Sequence, residues 1–215
     1  MNYATIKKTD VANGPGIRVS LFVSGCTHAC RGCFNSEAWD FCYGQEFTPE
    51  TEAEILKALA PEYIRGFSVL GGEPMEPQNR ETVLALLRKV KAAYPGKDIW
   101  CYTGYDYEKD LLRWEREEQE RRENRDEAKR KCPEGAAAES AGAEQSVGGE
   151  SVVTELLGLI DVLVDGEFVE EKKNLRLAFR GSENQRLIDV KKSRALGRTL
   201  CLPEQVKGME PANQA

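Results

Sequence analysis

Cys26-Thr27-His28-Ala29-Cys30-Arg31-Gly32-Cys33-Phe34-Asn35 places three of the chain's seven cysteines close together at the spacing C-x3-C-x2-C. The stretch follows an alternating apolar run, Ile17, Val19, Leu21 and Val23, so it hangs from the C-terminal end of a strand. The spacing is compatible with one face of a helix. Gly25 before it and Gly32 inside it favour a loop wrapped around a ligand. Three soft sulfur ligands suit an iron–sulfur cluster, which ordinarily takes four cysteines. One iron would then lack a protein ligand, and an open coordination position is where chemistry occurs. A zinc site made of Cys26, His28, Cys30 and Cys33 is the alternative. Structural zinc sites generally join two ligand pairs from separated segments, and no second pair stands elsewhere at suitable spacing. Ligand preference favours the open cluster.

Composition narrows the setting. At 215 residues the chain can bury one core, hence one domain with room for an appendage. A net charge of −6, with both signs mixed, gives no electrostatic footprint for nucleic acid. No apolar run reaches the ~18 residues needed to span a bilayer, and Met1 to Thr5 has the character of neither a signal nor a transit peptide. An odd, clustered set of cysteines argues against a secreted disulfide framework and for a reducing cytoplasm.

Outward from the cysteines, strand and helix signals alternate. Asn13-Gly14-Pro15-Gly16 leads into the first strand, as a plain turn or as a bend where a ligand approaches the backbone. Thr48-Pro49-Glu50 starts a helix with Ile55, Leu56 and Leu59 inward. Phe67 to Leu70 is a buried strand running into Gly71-Gly72-Glu73-Pro74. Val83, Leu84, Leu86, Leu87 and Val90 mark a second helix, and Asp98 to Tyr102 a third strand ending at Thr103-Gly104-Tyr105. Val152 to Leu157 reads as a short helix and Asp161 to Gly166 as a further strand and its turn. This alternation predicts an α/β fold with parallel strands, whose C-terminal loops carry the site. Glu108 to Lys131 is mostly charged and reads as an exposed helix, followed by an Ala/Gly/Ser/Glu-rich segment. The expected organisation is a single domain over residues 1–202, with a charged or flexible insertion at about 115–150 and a disordered tail at 203–215.

Gly71-Gly72-Glu73-Pro74 ends the strand next to the cysteine loop. Its glycines allow a ligand close to the backbone, and Glu73 offers a carboxylate to a cationic amine. With Cys26, Cys30 and Cys33, this pair of motifs resembles the radical S-adenosylmethionine enzymes. Within them the chain is similar to the glycyl-radical activases that act on anaerobic ribonucleoside-triphosphate reductase. Asn13 to Arg18, Leu21 to Asn35, Gly71 to Pro77, Lys97 to Tyr105, Asp161 to Phe168 and Gly181 to Arg186 carry the likeness.

The resemblance implies a partial, open (β/α) barrel with parallel strands. It implies a 4Fe-4S cluster on Cys26, Cys30 and Cys33, and S-adenosyl-L-methionine beside Gly32, Cys33, Phe34, Gly71, Gly72 and Glu73. It further implies reductive cleavage of that cofactor and a 5′-deoxyadenosyl radical. That radical would generate a glycyl radical on the reductase large subunit, with a flavodoxin-like protein as electron donor. An activase for pyruvate formate-lyase, or a non-catalytic iron–sulfur or zinc module, are the other readings. Phe34 suits adenine stacking or a core position. Thr103 and Tyr105 suit the ligand site or a plain turn. His28 suits tuning of the cluster or contact with the partner, or, more plainly, a solvated loop histidine; Cys101 reads as a small core hydrophobe, and Cys42, Cys132 and Cys201 as incidental.

Overall fold

A computed structural model describes residues 1–131 and 151–203; the expected segment around Cys132 and nearly all of the expected tail lie outside them. One seven-stranded sheet runs through the described residues, in the order β3-β1-β2-β4-β5-β6-β7. The central strands β2 (Ile17–Val23), β4 (Ile64–Gly71), β5 (Asp98–Tyr102) and β6 (Val162–Asp165) are mutually parallel. The flanks differ from the all-parallel expectation. β1 (Asn2–Asp10) runs antiparallel to β2 and to the short β3 (Gln45–Glu46), and β7 (Arg186–Asp189) runs antiparallel to β6.

Helices α1 (Pro49–Leu59), α2 (Pro77–Ala93) and α4 (Val152–Leu159) supply the crossovers that parallel pairing requires, on either side of the charged α3 (Leu112–Lys131). Thr48 caps α1, its hydroxyl accepting from the Thr51 N–H, with Pro49 in the first turn as read from the sequence. The last helix, α5 (Val190–Leu196), starts on the Asp189 cap and stops at Gly197, whose φ of 63° is the left-handed conformation a helix end favours.

Strand alternation divides the sheet's two faces. Val19, Leu21, Val23, Phe67, Val69, Ile99, Cys101 and Leu163 belong to the main core with Ile55, Leu87 and Leu156 of the helices. Trp100, Val164 and Leu187, from the opposite face, form a separate small cluster with Tyr102 and Phe179. Phe22, Leu70 and Tyr102 of that second face line a cavity.

α3 is shorter on burial than on length: Tyr107 and Leu111, in the single π-helical turn before it, are its main anchor. Glu108 is no part of a purely solvated run. Its carboxylate accepts from Arg186, which also binds Asp165, and so ties β7 to the sheet. Asp106, Glu108 and Asp165 converge within 4.8 Å, and the Arg186 guanidinium supplies their counter-charge.

Candidate functional site

Because β2, β4, β5 and β6 are parallel, the loops that follow them open on one edge of the sheet. Each of the four carries part of the expected motif set: Cys26 to Cys33, Gly71 to Glu73, Thr103–Gly104 and Gly166 to Phe168. All four line one cavity of about 1000 Å³. Cys26, Cys30, Cys33, Phe34, Gly71, Gly72 and Glu73 all stand in its wall, so residues far apart in sequence meet as the motifs predicted. Gly32 does not: at φ 74° it makes the turn between Cys30 and Cys33 and faces Glu170.

Backbone hydrogen bonds fix the thiol loop to its neighbour. Gly72 N–H donates to Val23 O at 2.7 Å and Glu73 N–H to Gly25 O at 2.8 Å. Gly25 and Cys26 donate in turn to Ala38 O and Trp39 O, in the short helical turn Ser36–Trp39. Gly72 has no room for a side chain, since a Cβ there would meet Gly25 O at 2.6 Å. Thr27 is held by Glu76, whose Oε1 accepts from its N–H at 2.9 Å and from its hydroxyl.

Cys26, Cys30 and Cys33 are free and partly exposed to the cavity. Burial pushes the Cys26 thiol up to about 11, against the pull of the His28 and Ala29 N–H groups, and burial likewise raises Cys30. Such thiols ionise when a bound cation compensates the charge. The Asn35 N–H already points at the Cys33 sulfur, 3.4 Å away. Among the described residues, these thiols and His28 do not come within 4.8 Å of one another as a set of three ligands. Three soft thiols around a common cavity are the donor type an iron–sulfur cluster takes.

His28 is not a solvated loop residue. Its side chain is 9% exposed, with Nδ1 2.8 Å from Glu167 Oε1 and Nε2 3.2 Å from Glu73 Oε2. The Nδ1 contact is a hydrogen bond; the Nε2 contact is ionic, its angle falling short of one. Burial alone would lower the pKa of His28, but the two carboxylates outweigh it and raise the value to about 9. Its ring also packs edge-on against Tyr105 at 4.3 Å. Glu73 is fully buried and already occupied by the protein: Oε1 accepts from Met75 N–H and Oε2 from Gly104 N–H.

Phe34 is 64% exposed, which excludes the core reading. It stands at the cavity edge, edge-on to Phe168 at 5.5 Å. Thr103 lines the cavity and also makes its turn, its hydroxyl accepting from Tyr105 N–H; Tyr105 lies behind, against Trp114. Asn13 and Pro15 line the cavity as well, so the glycine-rich lead-in is more than a turn before a strand. Gln185 fastens the wall by accepting from Gly181 and Ser182 N–H and donating to Gly166 O. Cys101 is buried in the core as expected, while Cys42 and Cys201 are exposed and apart from the cavity. Sequence reasoning placed His28 in the cluster loop without its carboxylate partners, and missed Glu167 and Tyr102; only the glycine of Thr103-Gly104-Tyr105 hinted at a close approach there.

Comparison with known proteins agrees with this geometry. The family described as 4Fe-4S single cluster domain matches residues 12–122 and 125–188. Over 187 residues the chain is 36% identical to the anaerobic ribonucleoside-triphosphate reductase-activating protein of Pasteurella multocida, covering 86% of this chain and 95% of the relative. Identity to the protein of the same description from Vibrio cholerae is 38%, covering 86% and 96%. For that of Escherichia coli it is 37%, with the same coverage. The chain carries a 4Fe-4S single cluster domain and belongs to the family of anaerobic ribonucleoside-triphosphate reductase-activating proteins.

Proposed function

We propose that this protein is a radical S-adenosylmethionine activase that generates a glycyl radical on the large subunit of anaerobic ribonucleoside-triphosphate reductase. The observation that carries the reading is the single cavity in which three free thiols, the Gly71–Glu73 turn and an exposed Phe34 face one another. Cys26, Cys30 and Cys33 would hold the cluster, leaving one iron for S-adenosylmethionine. Cys33 and Phe34, on the turn made by Gly32, would face the nucleoside. Gly71, Gly72 and Glu73 would flank the methionine part, with the backbone of the turn presented directly and the Glu73 carboxylate through its fixed neighbours. When bound together, cluster and S-adenosylmethionine supply a 5′-deoxyadenosyl radical as hydrogen-abstracting agent.

The chain's own part is orientation and exclusion of water. The clamped thiol loop holds the ligand end of the cavity, and Phe22, Leu70, Leu177 and Phe179 line the rest with apolar surface from which a bound ligand would displace water. The sheet does not close on itself, β3 and β7 being its two edges. That supports a partial, open barrel through which a partner's glycine-bearing loop would enter. A single domain over residues 1–202, interrupted by a surface insertion at about 115–150 and ending in a tail at 203–215, is part of the same proposal. So are a flavodoxin-like electron donor and a cytoplasmic setting. Among the described residues, no helix is long and apolar enough to cross a membrane.

The test is direct. Anaerobically reconstituted protein with a strong reductant is expected to cleave S-adenosylmethionine, and Cys30→Ala is expected not to. Incubation with the reductase large subunit is then expected to give the glycyl doublet in electron paramagnetic resonance. Cleavage without a doublet would point to another glycyl-radical partner. A cluster whose spectrum ignores S-adenosylmethionine would reduce the protein to an electron-transfer or structural module.

A further inference from the structure

We propose that His28 is the positioning residue that holds the thiol loop in register with the Gly71–Glu73 turn, so that a ligand chelated at the cluster meets that turn in one orientation. The inference rests on the reading of the cavity as a site for a cluster and S-adenosylmethionine. Three observations carry it, and none concerns the thiols themselves.

The first is connectivity. Gly25, Cys26 and Thr27 anchor the start of the loop, but beyond Thr27 the loop has few ties. Arg31 pairs with Glu170 at 3.0 Å, yet Arg31 is largely exposed, and such pairs contribute little. His28 is the buried tie. One side chain reaches Glu73 after β4, Gly104 and Tyr105 after β5, and Glu167 after β6. It therefore joins all four loops of the site.

The second observation is room. A Cβ on Gly104 would meet His28 Cδ2 at 2.6 Å and Nε2 at 2.7 Å, so the missing side chain at Gly104 is what admits the ring. The third is the state of Glu73. Its fully buried carboxylate, between Gly104 N–H and Met75 N–H, has the His28 ring against it, with Nε2 at 3.2 Å. Without the ring a space opens beside that carboxylate, into which it shifts or draws solvent. Moving Glu73 moves the Gly71–Gly72 wall, whose backbone is bonded to the thiol loop. The same ring holds Glu167, next to Phe168 of the cavity wall.

Anaerobically reconstituted full-length protein tests this with His28→Ala, His28→Gln, Gly104→Ala and Glu167→Ala. The readouts are iron and sulfide content, the electron paramagnetic resonance spectrum of the reduced cluster with and without S-adenosylmethionine, and kcat and KM for its cleavage. His28→Ala is expected to load iron as wild type does, to lose the spectral change on adding S-adenosylmethionine, and to raise KM about ten- to a hundredfold with a smaller fall in kcat. Gly104→Ala, which displaces the ring without touching His28, is expected to reproduce that signature. Glu167→Ala is expected to give a weaker form of it. His28→Gln is expected to recover part of the loss, because its side chain fills part of the space of the ring and its amide can donate to Glu167. A wild-type KM and spectral response in His28→Ala overturns the inference. Should that variant fail to fold or load, unchanged values in both Gly104→Ala and Glu167→Ala overturn it equally. Failure of the wild-type protein itself to respond to S-adenosylmethionine overturns the underlying reading, and this inference with it.

Discussion

Arg18 Nη1 lies 2.8 Å from Asp98 Oδ1, joining the start of β2 to the start of β5 across the intervening strand β4. Nη2 of the same guanidinium donates to Phe67 O at 2.8 Å and Nε to Ser68 Oγ at 2.8 Å, with Trp100 beneath it. Ser68 passes the link on to Asn13 O, so the cation fastens the glycine-rich lead-in that closes one end of the cavity. Arg18 is fully buried, and removing it strands several acceptors. Arg18→Met is expected to lower the free energy of unfolding by about 4 kcal/mol. Chemical denaturation measures this, and a loss near zero would show that water or neighbours replace the guanidinium.

The thiols divide cleanly. Cys26→Ala, Cys30→Ala and Cys33→Ala are each expected to bind far less iron after anaerobic reconstitution, because the proposed cluster draws on all three thiols of the cavity. Cys42→Ala and Cys201→Ala, exposed and away from it, are expected to retain the full complement. Iron analysis on the five proteins separates the groups.

Phe34 presents a largely exposed ring to the cavity, so its truncation removes little from the core. Phe34→Ala is expected to leave the Tm almost unchanged while weakening S-adenosylmethionine binding by about 1 kcal/mol, the value of one aromatic contact. Calorimetric titration against thermal melting reads both. A large fall in Tm with unchanged affinity would make Phe34 a packing residue.

Asp161 ties α2 and α5 to the sheet. Its Oδ2 accepts from Lys91 Nζ and from Ile99 N–H, each at 2.7 Å, and Lys191 binds the other oxygen. Burial opposes ionisation, but the hydrogen bonds from Lys191, Lys91 and Ile99 outweigh it and hold the carboxyl below its usual value. The folded pKa therefore lies below the unfolded one of about 3.9. The stabilisation is fully present above the unfolded value and is lost as pH falls through the folded one. Asp161→Asn is expected to cost about 2 kcal/mol at neutral pH. The gap from wild type should close on acidification, as unfolding curves across that range would record.

The charged helix offers a cut point. Glu118 still reaches back to Ser151 and, at 3.8 Å, to Arg80. Deleting residues 122–148 behind a short flexible linker is expected to preserve the Tm and cofactor cleavage. Loss of cooperative unfolding would show that the segment belongs to the core.

The strands that carry the site were legible because their buried apolar residues alternate or run together, and because glycines and cysteines mark their C-terminal loops. β1 was not. Its pairing with β2 shifts register between Tyr3 and Thr5 and again between Lys7 and Asp10, which breaks the alternation that identifies a strand. β7 escaped for a different reason: Arg186 at its start reads as a loop cation until Asp165 and Glu108 are placed beside it. The contacts of His28 were out of reach for the same physical cause. Its partners Glu73, Tyr105 and Glu167 lie on three other loops, and no local spacing encodes such a meeting.

A sheet shielded by helices on one face and hollow on the other sets adjacent residues different tasks. Along β2, Val19, Leu21 and Val23 face the helices, whereas Phe22 faces the cavity. Sequence drift at the first set registers in the melting curve, and drift at Phe22 registers in what the cavity admits. Leu21 and Phe22, one peptide bond apart, thus answer to different constraints, the one to the packing of the core and the other to the shape of the cavity.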